Sequence, residues 1–207
     1  MIAYIEGRLV ARFPTYVILE AGGIGYQIHI SLFTYGALPE GGGPVGAAPE
    51  PGSLCVRLHV IQIIREDSFT LYGFATEGEK NLFSHLISVS GIGPSTGRMI
   101  LSSMDPSEIQ QAIVKGDVAR MQQIKGIGTK SAQRIILELQ DKLKKDGSDS
   151  VFAAPKNNGS SREEALSALV TLGFMRSAAE KAIEKVLTSS NQALAVDLLI
   201  KSALKNL

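Results

Sequence analysis

The chain has 207 residues, of which 44% are hydrophobic and 20% are charged, and its net charge is +1. This composition is typical of a soluble globular protein and excludes a polybasic nucleic-acid binder. The single cysteine, Cys55, excludes an intrachain disulfide. No apolar run reaches the roughly 18 residues of a membrane span, and no signal-peptide pattern opens the chain. We therefore expect a cytoplasmic protein with no membrane partner.

Residues 1–75 have the pattern of a β domain. Short runs rich in β-branched and aromatic residues are separated by turn clusters. Five strands are predicted: 2–12, 16–20, 25–30, 55–64 and 68–74. Five short strands with Gly-rich turns indicate a small barrel of the OB type. The Gly- and Pro-rich segment 38–53 is predicted to be a long surface loop between the third and fourth strands.

Residues 76–145 are predicted to be helical and contain one motif twice. The first copy is Val89-Ser90-Gly91-Ile92-Gly93-Pro94-Ser95, and the second, 35 residues later, is Ile124-Lys125-Gly126-Ile127-Gly128-Thr129-Lys130. Each copy follows an apolar helical stretch and opens another, so the unit is helix, hairpin, helix. The sequence Asp105-Pro106 predicts a helix start between the two copies.

A Gly-x-Gly hairpin can bring a ligand close to the backbone. Glycine accepts a positive φ, and the amides at the start of the following helix favour an anion. A single such hairpin is ordinarily just a turn. The flanks of the two copies also match, and alignment pairs the apolar residues Leu86 with Met121, Val89 with Ile124, Ile92 with Ile127, Ile100 with Ile135 and Leu101 with Ile136. A repeated packing unit of this kind indicates binding to nucleic-acid phosphates.

The charges are unevenly distributed along the chain. Residues 1–75 carry four basic and six acidic groups, residues 76–145 ten basic and seven acidic, and residues 146–207 seven of each. The positive excess therefore lies in the region with both hairpins. Lys125, Lys130 and Arg134 lie on or just after the second hairpin, where cations would suit an anionic partner rather than the helix dipole.

The C-terminal part divides into a linker and a third domain. Residues 146–161 are polar, with Gly, Ser, Asn and Pro, and are predicted to be a flexible linker. Residues 162–207 have the apolar spacing of three short helices with a small core. Phe174, in the turn Leu172-Gly173-Phe174, either faces a partner or fills that core.

The ordered combination of these features resembles the RuvA family, the Holliday-junction-binding subunits of bacterial branch migration, over essentially the whole chain. The residues that carry the resemblance are Arg65-Glu66-Asp67, Leu71-Tyr72-Gly73-Phe74, the two hairpins and the Leu-Gly-Phe tail. It implies an α+β multi-domain protein: an OB-like barrel at 1–75, tandem helix-hairpin-helix motifs at 76–145 and a three-helix, UBA-like domain at 162–207.

The resemblance also implies a function. Four subunits would form a plate that holds a four-way DNA junction open, with one tetramer or two per junction left undecided. The phosphate contacts would be the amides of Gly91, Ile92, Gly93, Gly126, Ile127 and Gly128, with charge added by Lys125, Lys130 and Arg134. Members of the family commonly place a basic residue where this chain has Ser95; either Arg98 compensates or the first hairpin binds more weakly. Glu66 and Asp67 would form an acidic pin that repels phosphates at the crossover, although residue chemistry alone favours an ordinary charged hairpin tip.

The resemblance further implies an accessory subunit of an ATP-driven machine. The third domain would dock on the RuvB hexameric ATPase through Leu169, Leu172, Phe174 and Leu204, with the RuvC resolvase in the wider complex. The chain lacks the Gly-x-x-x-x-Gly-Lys-Ser/Thr loop that cradles nucleotide phosphates. We expect no catalytic residues, no metal and no cofactor.

Two other functions are consistent with parts of the sequence. A helix-hairpin-helix glycosylase would need a Lys just past a hairpin paired with a downstream catalytic Asp, and a metal-dependent nuclease would need converging ligands. In the sequence, no Cys or carboxylate stands at metal-ligand spacing from His29, His59 or His85. An OB-fold single-strand binder would need aromatic platforms and a basic groove, whereas residues 1–75 are net negative.

Overall fold

The computed structural model describes residues 1–40, 54–145, 161–189 and 195–206. The chain forms two compact units, Met1–Ala154 and Pro155–Leu207. Residues 41–53 of the predicted loop lie outside the described residues, as does the predicted linker apart from Ser161. The first unit contains the strands and both hairpins, and the second contains the last three described helices.

Five strands close into a barrel in the order β1-β2-β3-β5-β4. The strands are β1 Tyr4–Phe13, β2 Tyr16–Ala21, β3 Ile24–Ile30, β4 Cys55–Ile64 and β5 Phe69–Phe74. All neighbours are antiparallel except β3 and β5, which are parallel. Alternate residues point inward, and the barrel core includes Leu19, Ile28 and Leu58, all fully buried. The prediction of an OB-like barrel is confirmed.

One helix of the barrel region was not predicted. Helix α1, Leu32–Ala37, follows β3 directly, and the Oγ of Ser31 accepts a hydrogen bond of 2.9 Å from the Thr34 amide at its start. A helix of six residues is too short to show an amphipathic repeat, so the cap was its one sequence signal.

Five helices follow the barrel in the described part of the first unit. They are α2 Glu77–Ser88, α3 Pro94–Ser103, α4 Pro106–Lys115, α5 Val118–Gln122 and α6 Thr129–Lys145. The predicted start of α4 is confirmed, since Oδ1 of Asp105 accepts a hydrogen bond of 2.9 Å from the Ser107 amide. All ten residues of the five apolar pairs predicted for the repeat are buried, and they share one core.

Helix α2 fixes this helical layer on the barrel. The ring of Phe83 lies 5.2 Å from that of Tyr72 and 4.9 Å from that of Phe74, both on β5. Helix α3 packs closely on α2 at Gly97, where a Cβ atom would lie 3.1 Å from Cγ2 of Ile87. The first hairpin is therefore carried by two helices that are packed against each other and against the barrel.

The second unit is a three-helix domain, as predicted. Its helices are α7 Ser161–Thr171, α8 Arg176–Ser189 and α9 Val196–Leu204. Leu169, Ile183 and Leu199 are fully buried among alanines in a small core. Just after α7, Gly173 adopts φ of 98°, and the Phe174 amide donates a hydrogen bond of 3.1 Å to the Leu169 carbonyl.

Candidate nucleic-acid interface

The two hairpins have nearly the same backbone geometry. Gly91 and Gly126 adopt φ of 89° and 85°, which side chains rarely tolerate. In each hairpin the amide of the central isoleucine donates a hydrogen bond of 3.0 Å to the carbonyl three residues earlier, from Ile92 to Val89 and from Ile127 to Ile124. Both isoleucines are buried and the glycines are exposed, so apolar anchors hold an exposed backbone turn.

Each hairpin leads into a helix whose N-cap residue is a glycine. A glycine has no side chain that could accept hydrogen bonds from the first amides of the helix. Gly93 accepts the hydrogen bond of Gly97 at 2.9 Å, and Gly128 that of Ala132 at 2.9 Å, so each glycine lies at an N-cap. The other four helices described in this unit are capped by side chains: Ser31, Thr76, Asp105 and Asp117. A glycine N-cap leaves its helix's first N–H groups available to an external anion.

The space around these glycines is open. A Cβ atom at Gly91, Gly93 or Gly128 would meet no heavy atom within 4 Å. One at Gly126 would lie 2.9 Å from Cε of Met99. Internal packing therefore does not require a glycine at positions 93 and 128, whereas the close approach of a ligand would.

Cations flank both hairpins, and one cation that was assigned to the second hairpin lies beside the first. Lys125 and Lys130 are exposed on the second hairpin. Arg134, which follows the second hairpin in sequence, donates from Nη1 to the carbonyl of Ser90 at 3.2 Å, beside the first hairpin. Lys142 joins it there, with Nζ 3.4 Å from Oγ of Ser88. Sequence reasoning missed Lys142, because a residue at the far end of α6 shows no link to a hairpin 50 residues earlier until the helices are packed.

Arg98 faces the barrel. Its Nη1 donates to the carbonyl of Thr15 at 2.9 Å and lies 3.2 Å from Nδ1 of His29. Burial and the nearby Arg98 charge lower the pKa of His29, which favours its neutral form. These contacts tie α3 to the barrel, and a contact between Arg98 and DNA stays a prediction.

The acidic pair lies at the tip of the β4–β5 hairpin. Glu66 and Asp67 are exposed, and the Arg65 amide donates a hydrogen bond of 2.9 Å to the Ser68 carbonyl to close the turn. Among the described residues, no three His, Cys, Asp or Glu side chains are grouped to hold a metal ion. The tip can therefore present two carboxylates to a partner.

The four residues predicted to bind the RuvB ATPase differ in their exposure to solvent. Leu172 is 62% exposed, Phe174 37% and Leu204 40%. Leu169 was expected at this surface but is fully buried, because α7 places it on the stripe that packs against α8 and α9. Phe174 is not among the described residues that form the small core or pack against it.

Comparison with known proteins identifies the family. The model described as "RuvA N terminal domain" matches residues 1–73, "SAM-like Helix-hairpin-helix tandem" residues 83–141, and "RuvA, C-terminal domain" residues 160–207. The chain is 46% identical to a protein of Cytophaga hutchinsonii, with 99% of each chain covered. It is 47% identical to one of Flavobacterium psychrophilum, with 100% of each covered. Both are named "Holliday junction branch migration complex subunit RuvA".

The chain belongs to the RuvA family. Its three matched segments correspond to the barrel with its acidic tip, the tandem hairpins and the three-helix domain. No helix in the described part of this RuvA-family chain is both long enough and apolar enough to cross a membrane.

Proposed function

We propose that this protein is a non-catalytic subunit that binds four-way DNA junctions by their shape and serves a branch-migration motor in recombination and repair. The observation that carries the proposal is the pair of glycine-capped helix starts at Gly93 and Gly128. The other helix starts of the same unit are closed by side chains, and these two leave amide donors for phosphates.

Recognition would depend on the DNA backbone rather than on base sequence. Backbone amides and lysine or arginine side chains contact phosphates, and such contacts carry no sequence information. Two rigidly linked hairpins set a fixed spacing between the phosphates they bind. The shape of a junction arm can thus be recognised without reading bases.

The net charge of +1 supports binding through placed groups rather than a bulk field. The phosphate contacts would be the amides of Gly91, Gly93, Gly126 and Gly128 and those at the starts of α3 and α6. The amides of Ile92 and Ile127, which were also expected to bind phosphate, donate to the Val89 and Ile124 carbonyls instead. Lys125 and Lys130 would support the second hairpin, and Arg134 with Lys142 the first. Arg98 would act mainly by holding α3 on the barrel.

The acidic tip suits a position where phosphates must be kept away. Four subunits around a fourfold axis would bring four copies of Glu66 and Asp67 to the crossover. Their charges would steer the exchanging strands into the arms. This homotetramer, single or paired, forms part of the proposal.

The C-terminal domain would link the junction to the motor. Leu172, Phe174 and Leu204 are exposed apolar side chains of the kind found at protein interfaces. We propose that they dock on the RuvB ATPase, and that the RuvC resolvase joins the wider complex. The accessory role is supported by the names of the relatives, which call them subunits of a complex.

Junction binding is tested by competition in gel-shift assays. A labelled four-way junction should be displaced far better by unlabelled junction than by duplex or single strand of equal length. Equal competition by duplex would overturn the proposal. The mass of the particle, free and with junction, should correspond to four or eight chains.

Two further measurements separate the alternatives. Incubation with junction DNA and Mg²⁺ should leave all strands intact, whereas cleavage would indicate a nuclease. Deletion of residues 162–207 should preserve junction binding and remove stimulation of the RuvB ATPase. Loss of junction binding in that variant would contradict the assigned division of labour.

A further inference from the structure

The β4–β5 hairpin extends past the rest of the barrel. Strand β1 pairs with β4 only as far as His59, and β3 pairs with β5 only from Leu71 onward. The Val60 amide still donates a hydrogen bond of 2.9 Å to the Ala3 carbonyl, and beyond Val60 and Leu71 the ladder continues only between β4 and β5, up to the partners Ile64 and Phe69. The tip is therefore a two-stranded projection that carries Glu66 and Asp67 at its end.

An apolar pair lies directly behind the acidic tip. Along β4, Val60, Gln62 and Ile64 share one face, because side chains alternate along a strand. Val60 is 1% exposed in the barrel core, whereas Ile64 is 65% exposed. Its cross-strand partner Phe69 points to the same side and is 75% exposed. The face that lines the core thus continues outward as an uncovered apolar platform.

The chemistry of this platform differs from that of the hairpins. The adjacent carboxylates repel phosphate, so a DNA backbone is not the expected occupant. An aromatic ring beside carboxylates matches an unpaired nucleobase, whose face stacks on aromatic side chains and whose amino group can donate to Glu or Asp. Paired bases offer neither face to a protein, so the occupant would be a base released from its pair.

We propose that Phe69, supported by Ile64, stacks on an unpaired base at the crossover of the junction. This inference rests on the proposed function, because only strand exchange supplies unpaired bases at that point. The carboxylates would keep the backbone away while the ring holds the released base. The hairpin would thereby lower the cost of opening a base pair during each step of exchange.

The test uses the absence of tryptophan from the sequence. In the full-length variant Phe69→Trp, the single indole reports on stacking through its emission. We expect a loss of emission when the four-way junction binds and none with duplex of equal length. A junction with abasic sites at the crossover should bind in the gel shift but leave the emission unchanged.

Leu54→Trp is the matched control. Leu54 is 44% exposed and precedes β4, at the other end of the strand from Ile64. The emission of this control should not change with the presence of crossover bases. Phe69→Ala should weaken junction affinity about tenfold and leave duplex affinity unchanged, as expected for the loss of a stacked base.

The outcomes separate this inference from the function on which it rests. If the Phe69→Trp variant binds the junction without loss of indole emission, or if the abasic junction causes the same loss, base stacking is wrong and junction binding stands. If the free variant already has the blue-shifted emission of a buried indole, another copy of the chain covers the platform and the inference is wrong. If the wild-type protein does not bind the junction at all, both the proposed function and this inference are wrong.

Discussion

The two hairpins have the same backbone conformation, but they differ in the source of their nearby cations and in the elements that anchor them. The second hairpin carries Lys125 and Lys130 on its own residues. The first has none, and Pro94 removes one amide from the start of α3. Helix α6, which begins at the second hairpin, brings Arg134 and Lys142 back to the first. A repeat can therefore distribute its charges across its copies, so the binding strength of one copy cannot be judged from its own segment.

The hairpins also differ in anchorage. Helices α2 and α3, which flank the first hairpin, are bound to the barrel through Phe83, Glu79 and Arg98. Helix α6 after the second hairpin packs on α4 and α2. Three predictions test these differences, beginning with the largest expected effect.

The anchor of the first hairpin should depend most on Glu79. Its side chain is fully buried and accepts hydrogen bonds from the hydroxyls of Ser31 and Thr34 and, at 3.2 Å, from the Ala75 amide. Glu79→Ala removes the acceptor of the Ser31 and Thr34 hydroxyls, while the Ala75 amide keeps its hydrogen bond of 3.1 Å to Oγ1 of Thr34. The variant should lower the free energy of unfolding by about 3 kcal/mol. Denaturant unfolding measures this loss.

Glu79→Gln is the matched variant and gives a pH test. Burial raises the pKa of Glu79 above its usual 4.5, although the hydrogen bonds from Ser31, Thr34 and Ala75 oppose that shift. The folded state therefore binds the proton more tightly than the unfolded state does. This contribution to stability is complete below pH 4.5 and is lost as the pH rises through the pKa of the folded state. Wild type should accordingly lose stability relative to the Gln variant over that rise, and a difference that does not change with pH would contradict the assignment.

The glycine caps should produce the next largest effect, with opposite signs for binding and stability. Gly128→Asp places a capping carboxylate where a phosphate would bind, so junction affinity should fall about 30-fold, or about 2 kcal/mol, while α6 becomes slightly more stable. Gly93→Asp should cost less, about tenfold, because Pro94 already removes one donor. Gel-shift titration and thermal unfolding measure the two quantities.

Gly128→Ser and Gly93→Ser serve as uncharged controls, since serine can also cap the helix. They should weaken binding less than the aspartates do. If the aspartate variants melt at a lower temperature than wild type, their weaker binding results from misfolding rather than from loss of the phosphate site. Unchanged affinity would remove the phosphate role of the helix starts.

The crossed charges should produce the smallest effect. Arg134→Gln should weaken junction binding about fivefold, near 1 kcal/mol, and reduce the salt slope by about 0.9 for each phosphate that is no longer neutralised. In double-mutant cycles, Arg134→Gln should couple to Gly93→Asp and add independently to Gly128→Asp. If Arg134→Gln instead couples to Gly128→Asp, Arg134 supports phosphate binding at the second hairpin and the assignment to the first is wrong. Lys201→Gln, in the other unit, makes the same charge change and should leave affinity unchanged.

The architecture could be predicted from the sequence because local residue patterns specify its strands, helices and turns. Alternating β-branched residues specified the five strands, and the matched apolar pairs such as Val89 with Ile124 specified the repeated helical core. Turn glycines marked both hairpins, and Asp105 marked a helix start. These signals depend on periodicity and backbone preference, which any segment shows by itself.

Only tertiary packing decided where charges and exposed apolar groups lie. It placed Arg134 beside Ser90, turned Arg98 toward Thr15, buried Leu169 and carried Phe69 beyond the barrel. Such positions depend on how helices and strands that are distant in sequence pack together, and no local pattern encodes that arrangement. The two Gly-Ile-Gly hairpins could thus be recognised from the sequence, whereas the sharing of cations between them required the fold.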